Sequence, residues 1–292
     1  MRRQIIVVFF SFLWLAVPAA FAAERGALFK VSANGHTMHL FGTMHVGVAE
    51  FYPLEPRITQ AVAAASTLAL ELDPAIAPAA AAAAMREHGL ARPGSALPPA
   101  LAARLAPLLE EAGIPAAAVA PLKPWVVTMV LALHEFGVQG FRPDFAVDSH
   151  LAALARSGKT KVVELESVGM QMALFSRLSE AEQLRYLEEA ITLIESGKHR
   201  AEIRQITDAW RNADQAGIDA IALRLDTDAT LSGRFMRDSV LAGRNVGMAD
   251  KLLHLLEREN NTVAAIGLLH LVGKGSVPEL MRAKGVTVER VY

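Results

Sequence analysis

The sequence predicts an α/β fold in which a central mixed sheet, built from both chain ends, is flanked by many helices. Three observations predict it. Short apolar stretches of strand type occur at 27–33, 36–43 and 67–72 near one end, at 161–165, and again at 262–266 and 286–291 near the other. Long segments with helical spacing lie between them. A Gly-x-x-His phrase occurs twice, as Gly42-Thr43-Met44-His45 and Gly267-Leu268-Leu269-His270, each time after a strand-like stretch. A histidine just past a strand end presents its imidazole at the rim of a sheet, and glycine lets the backbone turn tightly there. Two matched copies imply two halves converging on one site.

The first residues read as an export leader. Arg2 and Arg3 form a positive start, Ile5 to Val17 is apolar, and Ala20-Phe21-Ala22 is a small-x-small cleavage site. The short apolar core favours cleavage after Ala22 over retention as an anchor. The expected mature chain is residues 23–292, one domain, in the periplasm or secreted. No later segment is long and apolar enough to span a bilayer.

The elements follow in order. Ala27–Ala33 and His36–Thr43 read as a hairpin with Asn34-Gly35 as the two-residue turn. Glu55–Ala65 reads as a helix, and Thr67–Leu72 as a strand ended by Asp73-Pro74. Residues 75–121 are rich in Ala and Pro, with six alanines at 79–84. Alanine favours helix, so short helices broken at Pro93-Gly94 and Pro98-Pro99 are expected. Pro124–Phe136 and Ala146–Arg156 read as helices and Lys161–Leu165 as a strand. Ser179 with Glu182 forms a capping box, opening a helix that carries Leu184, Leu187, Ile191 and Ile194 and closes at Gly197. Long helices fill 199–258. Thr262–Ile266 reads as a buried strand and Val286–Val291 as the last strand.

Composition removes several classes of function. Without the leader's two arginines, 27 basic residues face 30 acidic ones, with no basic patch for nucleic acid. There is no cysteine, so no disulfide and no thiolate metal site. Any metal must be held by His and carboxylate. No His-Glu-x-x-His helix, Gly-x-Ser-x-Gly elbow or Gly-x-Gly-x-x-Gly loop is present. Gly158-Lys159-Thr160 ends like a phosphate loop, but Ala153 stands where that loop needs glycine.

The candidate residues are few. Neutral imidazole suits both metal ligation and proton transfer, which singles out His45 and His270. Glu71 and Glu166 sit at the ends of strand-like stretches, where open sheets bind ligands, and a buried carboxylate there must be paired or bound to a cation; the plain alternative is an edge strand with a solvated face. Glu164 lies deeper. Arg244 lies in an i+4 stripe of Met236, Val240, Met248 and Leu252, and either snorkels outward or pairs with a carboxylate or oxyanion. Asp148 reads as a cap for the helix carrying Leu151 and Leu154. His36, His88, His134, His199 and His254 read as structural.

With these residues in place, the chain resembles the TraB/GumN family, itself similar to the Tiki metalloproteases. The resemblance is carried by Leu40–Gly47, Phe51–Leu54, Leu70–Asp73, Val147–Leu151, Val163–Glu166 with Gln171, Arg244-Asn245, Ala265–Gly273 and Gly285–Val291. It covers nearly all of 23–292. It implies a pseudo-symmetric α/β fold shared with erythromycin-esterase-like and haem-binding ChaN-like proteins. It also implies metal-dependent peptide hydrolysis by the two motif histidines and a glutamate, here His45, His270 and Glu71. Glu166 and Arg244 match family positions with less defined roles. Leu268-Leu269 depart from the smaller residues usual there, which would narrow the site.

The expectation is an exported hydrolase using a divalent metal (Mn, Co or Zn), acting on a peptide or small-molecule substrate. In it, His45 and His270 hold the ion with Glu71 or Glu166, the other carboxylate is the base, and Arg244 faces the oxyanion. Two alternatives are a metal-free esterase-like hydrolase with His45 as base, and an accessory protein that binds haem or metal without turnover.

Overall fold

In the computed structural model, which describes residues 23–75 and 77–292, a six-stranded mixed sheet forms the centre. The expected leader, 1–22, lies outside the described residues. Strands β1 (Leu28–Ala33) and β2 (His36–Thr43) form the hairpin, with Asn34 and Gly35 at φ of 50° and 81°. Positive φ at both turn positions matches the twist of the paired strands. Helix α1 (Pro56–Ala64) starts on a proline whose fixed φ suits the first turn, and buries Ile58 and Val62. It leads into β3 (Thr67–Leu70), two residues shorter than expected, so Glu71 stands just past the strand.

The Ala- and Pro-rich stretch is helical, as expected: α2 (Ala77–Ala84), α3 (Pro99–Glu111) and α4 (Ala116–Val119). Helices α5 (Pro124–Val138) and α6 (Val147–Ser157) precede strand β4 (Lys161–Glu164). Then come α7 (Val168–Ser176), α8 (Glu180–Glu195), α9 (Lys198–Arg211), α10 (Gln215–Thr227), α11 (Leu231–Phe235) and α12 (Gly243–Arg258). The chain closes with β5 (Thr262–Gly267), α13 (Val277–Ala283) and β6 (Thr287–Arg290). Both halves of the Ser179–Glu182 capping box form.

The sheet order is β4-β3-β5-β2-β1-β6. The first four strands are mutually parallel, and β1 runs against its neighbours β2 and β6. All of β3 is buried, so the alternation of its side chains marks no solvated face; the outer place belongs to β4, whose Lys161 and Glu164 are exposed. Helices pack on the sheet around a core that includes Leu28, Leu40, Phe41, Leu68, Leu70 and Ile266. Trp210 of α9 is fully buried, and its indole N–H donates to the carbonyl of Gly42 at 2.7 Å, tying the helical middle to the first motif. A separate apolar cluster joins α3, α5 and α8 through Leu105, Leu109, Leu131, Leu187 and Ile191.

One helical pattern is corrected. Residues Met236–Ala242 form a π-helical segment, which takes Met236 and Val240 out of phase with the residues after them. The buried stripe of α12 is instead Asn245, Met248, Ala249, Leu252 and Leu256, and Arg244 flanks it.

Candidate functional site

The four parallel strands each deliver one candidate at their C-terminal ends. Reading across the sheet, β4 is followed by Glu166, β3 by Glu71, β5 by His270 and β2 by His45. Residues far apart in sequence thus stand in one row at the edge where open sheets bind ligands. The ladder continues past the strands: Leu165 N–H donates to Leu70 O at 2.7 Å, and Glu166 N–H to Glu71 O at 3.0 Å.

Glu71 is the centre of the row and is 4% exposed. The Nε2 atoms of His45 and His270 each lie 3.9 Å from its Oε1. The same oxygen accepts the backbone N–H of Gly267, while Oε2 accepts from Arg244 and, at 3.3 Å, from Gln171. Arg244 also grips Glu166, with Nε 3.1 and 2.9 Å from its two oxygens, and Gln171 donates to Glu166 at 3.0 Å. The arginine does not snorkel. Its guanidinium bridges two nearly buried carboxylates, a geometry the planar fork suits and an ammonium does not.

The glycines of both motifs serve close approach rather than a left-handed turn, since neither has positive φ. A Cβ on Gly42 would meet Leu268 Cδ1 at 2.8 Å, and a Cβ on Gly267 would meet Glu71 Oε1 at 3.0 Å. Leu268 is 2% exposed and packed against Gly42, so it points into the core and does not narrow the site.

Each ring is fixed from behind. Asn245 donates through Nδ2 to Gly275 O at 2.8 Å, so its Oδ1 accepts from His270 Nδ1 at 2.5 Å. The proton of neutral His270 therefore sits on Nδ1, and Nε2 carries a lone pair on the side of Glu71. His45 Nδ1 donates to Asp148 Oδ2 at 3.0 Å. The contact exists because Val147 N–H bonds to Met44 O and Gly47 pairs with Arg142, which lays the start of α6 along the His45 loop. Asp148 is not the helix cap expected from sequence: Ala146 holds that position without a side-chain bond, and Asp148 is turned to the imidazole.

The histidines titrate in opposite directions. Burial pulls His270 down to about 4, so it is neutral at pH 7, with Glu71 and Arg244 acting against each other. Desolvation also pulls on His45, but the Asp148 hydrogen bond and the charge of Glu71 outweigh it and raise it to about 9. Desolvation would raise Glu71, yet His45, His270, Arg244 and the Gly267 N–H hold it down to about 2. His45 contributes stability below its ordinary 6.5 and loses it as pH rises through about 9. Glu71 contributes above 4.5 and loses it as pH falls towards about 2. Buried neutral His270 costs stability as pH falls from 6.5 towards about 4. The His45 side chain is 61% exposed, so water screens its coupling and its share of the stability is small. Asp148→Asn is expected to move the His45 midpoint down towards the ordinary histidine range, read by the pH dependence of its ring proton resonance; an unmoved midpoint would deny Asp148 this role.

Among the described residues, no three His, Asp or Glu side chains form a ready-made metal group. His45, His270 and Glu71 nevertheless fit one in chemistry: two imidazole nitrogens beside one carboxylate oxygen, each ring with its other nitrogen bonded outward. Sequence reasoning singled out His45, His270, Glu71, Glu166 and Arg244, and the structure brings all five together. It missed the orienting roles of Asp148 and Asn245. The signal for Asn245 was a polar residue at i−3, i−4 and i−7 from the buried Met248, Ala249 and Leu252.

These features define a class: an α/β protein with a row of His and Glu, the candidate site, at the C-terminal edge of four parallel strands. The family model described as TraB/PrgY/gumN family matches residues 27–290, and the chain belongs to that family. Two relatives, each named uncharacterized protein YbaP, come from Shigella flexneri and Escherichia coli (strain K12). Each is 24% identical over 283 residues, covering 92% of this chain and 97% of the relative. No solved structure matches. Among the described residues no helix is long and apolar enough to cross a membrane.

Proposed function

We propose that this chain is a divalent-metal-dependent hydrolase, peptidase-like, working in the periplasm or after secretion. One observation carries the reading: the Nε2 atoms of two histidines flank one oxygen of Glu71, and both rings are fixed from behind by Asp148 and Asn245. A metal-ligating histidine has this form, because the outer hydrogen bond sets tautomer and ring angle. His45 and His270 would hold the ion through Nε2, with Glu71 as the third donor. Two imidazoles and a carboxylate suit Mn, Co and Zn alike. When bound, such an ion polarises a carbonyl and activates a water near neutral pH.

The chain's own groups do the rest. His45 must give up its Nε2 proton to ligate. Arg244 and the Gly267 N–H fix the carboxylate plane of Glu71. Glu166 and Gln171 hold Arg244 and Glu71 in register, so Arg244 acts in this reading as a positioning residue rather than as the oxyanion partner. A peptide substrate is supported by the resemblance to the Tiki proteases, and export by the leader-like pattern of the first residues, from Arg2 to Ala22. The test is metal content of the purified protein after dialysis and reloading with Mn, Co or Zn, beside His45→Ala/His270→Ala. Stoichiometric metal in the wild type, lost in the double variant and accompanied by peptide hydrolysis, is expected. No metal in the wild type, or equal metal in both, would sink the proposal.

A second reading is metal-free hydrolysis, favoured by the opposite shifts of the two rings. Sequence alone suggests His45 as the base; with its pKa raised, protonated His45 would instead be the acid and neutral His270 the base, since paired groups pushed apart in pKa can divide those roles. Hydrolysis that survives exhaustive chelation would select it.

A further inference from the structure

The Ala-rich segment takes no part in the strand-end site, yet it builds the wall of a cavity of about 590 Å³ in the helical layer. This volume lies within the range of about 300–1,000 Å³ usual for small-molecule sites. The hollow has a cause in sequence. Helix α3 buries Leu101, Leu105 and Leu109 towards α5 and α8, and its Ala102 and Ala106 line the cavity beside Leu105 and Leu109. From α4 and its end come Ala116 and Ala120. These four alanines are exposed, so the space between the helices stays open where larger apolar side chains would close it. Leu97, Leu122, Val127 and Leu184 complete an apolar lining.

The polar groups are uneven in sign. Arg92 and Lys123 line the cavity and make no salt bridge among the described residues; Glu180 is the single carboxylate there. The two cations come from segments held together by the Leu90–Leu122 bridge, with Ala91 N–H on Pro121 O at 2.9 Å and Lys123 N–H on Gly89 O at 2.8 Å. Their backbones are thus fixed relative to one another and to the cavity. An apolar slot with small-residue walls and a surplus of positive charge matches a thin apolar chain with an anionic head.

We infer that this cavity is a binding site for a long-chain fatty carboxylate, separate from the row of His and Glu. The chain lies along the alanines of α3 and α4, and the carboxylate pairs with Arg92 or Lys123. The site does not depend on the hydrolase reading.

The test titrates the purified protein with cis-parinaric acid, a fluorescent fatty acid, and displaces it with palmitate, hexadecanol or a short apolar peptide. Saturable binding is expected, with palmitate displacing the probe about tenfold more effectively than the uncharged alcohol. Arg92→Ala/Lys123→Ala should erase that preference, and Ala106→Phe, which fills the slot from an exposed position, should weaken palmitate and hexadecanol alike while leaving the melting temperature unchanged. Any of four results would overturn the inference: no saturable binding, equal displacement by palmitate and hexadecanol, normal binding by folded Ala106→Phe, or displacement by the peptide alone. Should Ala106→Phe fail to fold, Arg92→Ala at its exposed position still decides through the palmitate preference.

Discussion

Arg244→Ala is expected to remove about 3–5 kcal/mol of folding stability at neutral pH, because it strips the counter-charge from two nearly buried carboxylates. Arg244 is 11% exposed, Glu71 4% and Glu166 7%. Both carboxylates accept from the one Gln171 amide, so without the guanidinium two like charges face each other in a poorly solvated place. Arg244→Lys should recover only part of the loss, since an ammonium cannot reproduce the fork. Two further results separate this cause from a simple packing defect. Glu166→Gln, costly in the wild type, should be milder or even stabilising in the Arg244→Ala background, with a coupling of about 0.5–3 kcal/mol in a double-mutant cycle. The deficit should also shrink as pH falls below about 4.5. In the variant Glu71 loses one of the groups that hold it down to about 2, so less of its stabilising shift remains to be lost as pH falls. Urea midpoints at about pH 7 and about pH 3 for the four proteins of the cycle measure both. A deficit identical at the two pH values, with additive substitutions, would mean that Arg244 contributes packing and no charge pairing.

Much of this arrangement is legible in the sequence. The hairpin was legible because Asn34-Gly35 is a local signal, decided by the φ values of two adjacent residues. The row of candidate residues was legible because two histidines follow a glycine at the same spacing and two carboxylates follow apolar strand-like stretches. What sequence did not give was adjacency. Nothing local says that β5 inserts between β3 and β2, and that insertion brings His270 beside both Glu71 and His45. The pairing of Asp148 with His45 depends on Val147 N–H meeting Met44 O across about a hundred residues, while the local reading of an Asp in a first helical turn is a cap. The stripe through Met236, Val240 and Arg244 assumed a regular helix, and the π-helical segment broke that assumption by changing the angle per residue. Glycine was assigned a turning role at Gly42 and Gly267, whereas its use there is the absence of a side chain where Leu268 and Glu71 press close.

The opposite titration of the two histidines makes the proposed metal site testable without any substrate. Metal affinity is expected to rise about tenfold for each pH unit between about 6 and 9, because binding must expel one proton from His45 Nε2. The upper limit follows from the folded-state pKa of His45, about 9, above which no proton remains to be displaced. His270 adds no slope in this window, since burial holds it neutral down to about 4. Glu71 adds none either, being ionised down to about 2. One proton per ion is therefore the expected release, readable as the dependence of titration heats on the ionisation enthalpy of the buffer. His45→Ala should abolish the slope along with most of the affinity. Asp148→Asn should leave a site whose affinity stops rising nearer the ordinary histidine pKa, because the charge that held the His45 proton is gone. The metal-free reading predicts the reverse trend for turnover: activity flat across neutrality, then falling as pH passes about 9 and the acid on His45 is lost. A slope of two would mean that His270 is also protonated in the resting protein, against its buried, Asn245-bound geometry. A slope of zero with intact affinity would place the ion somewhere other than His45.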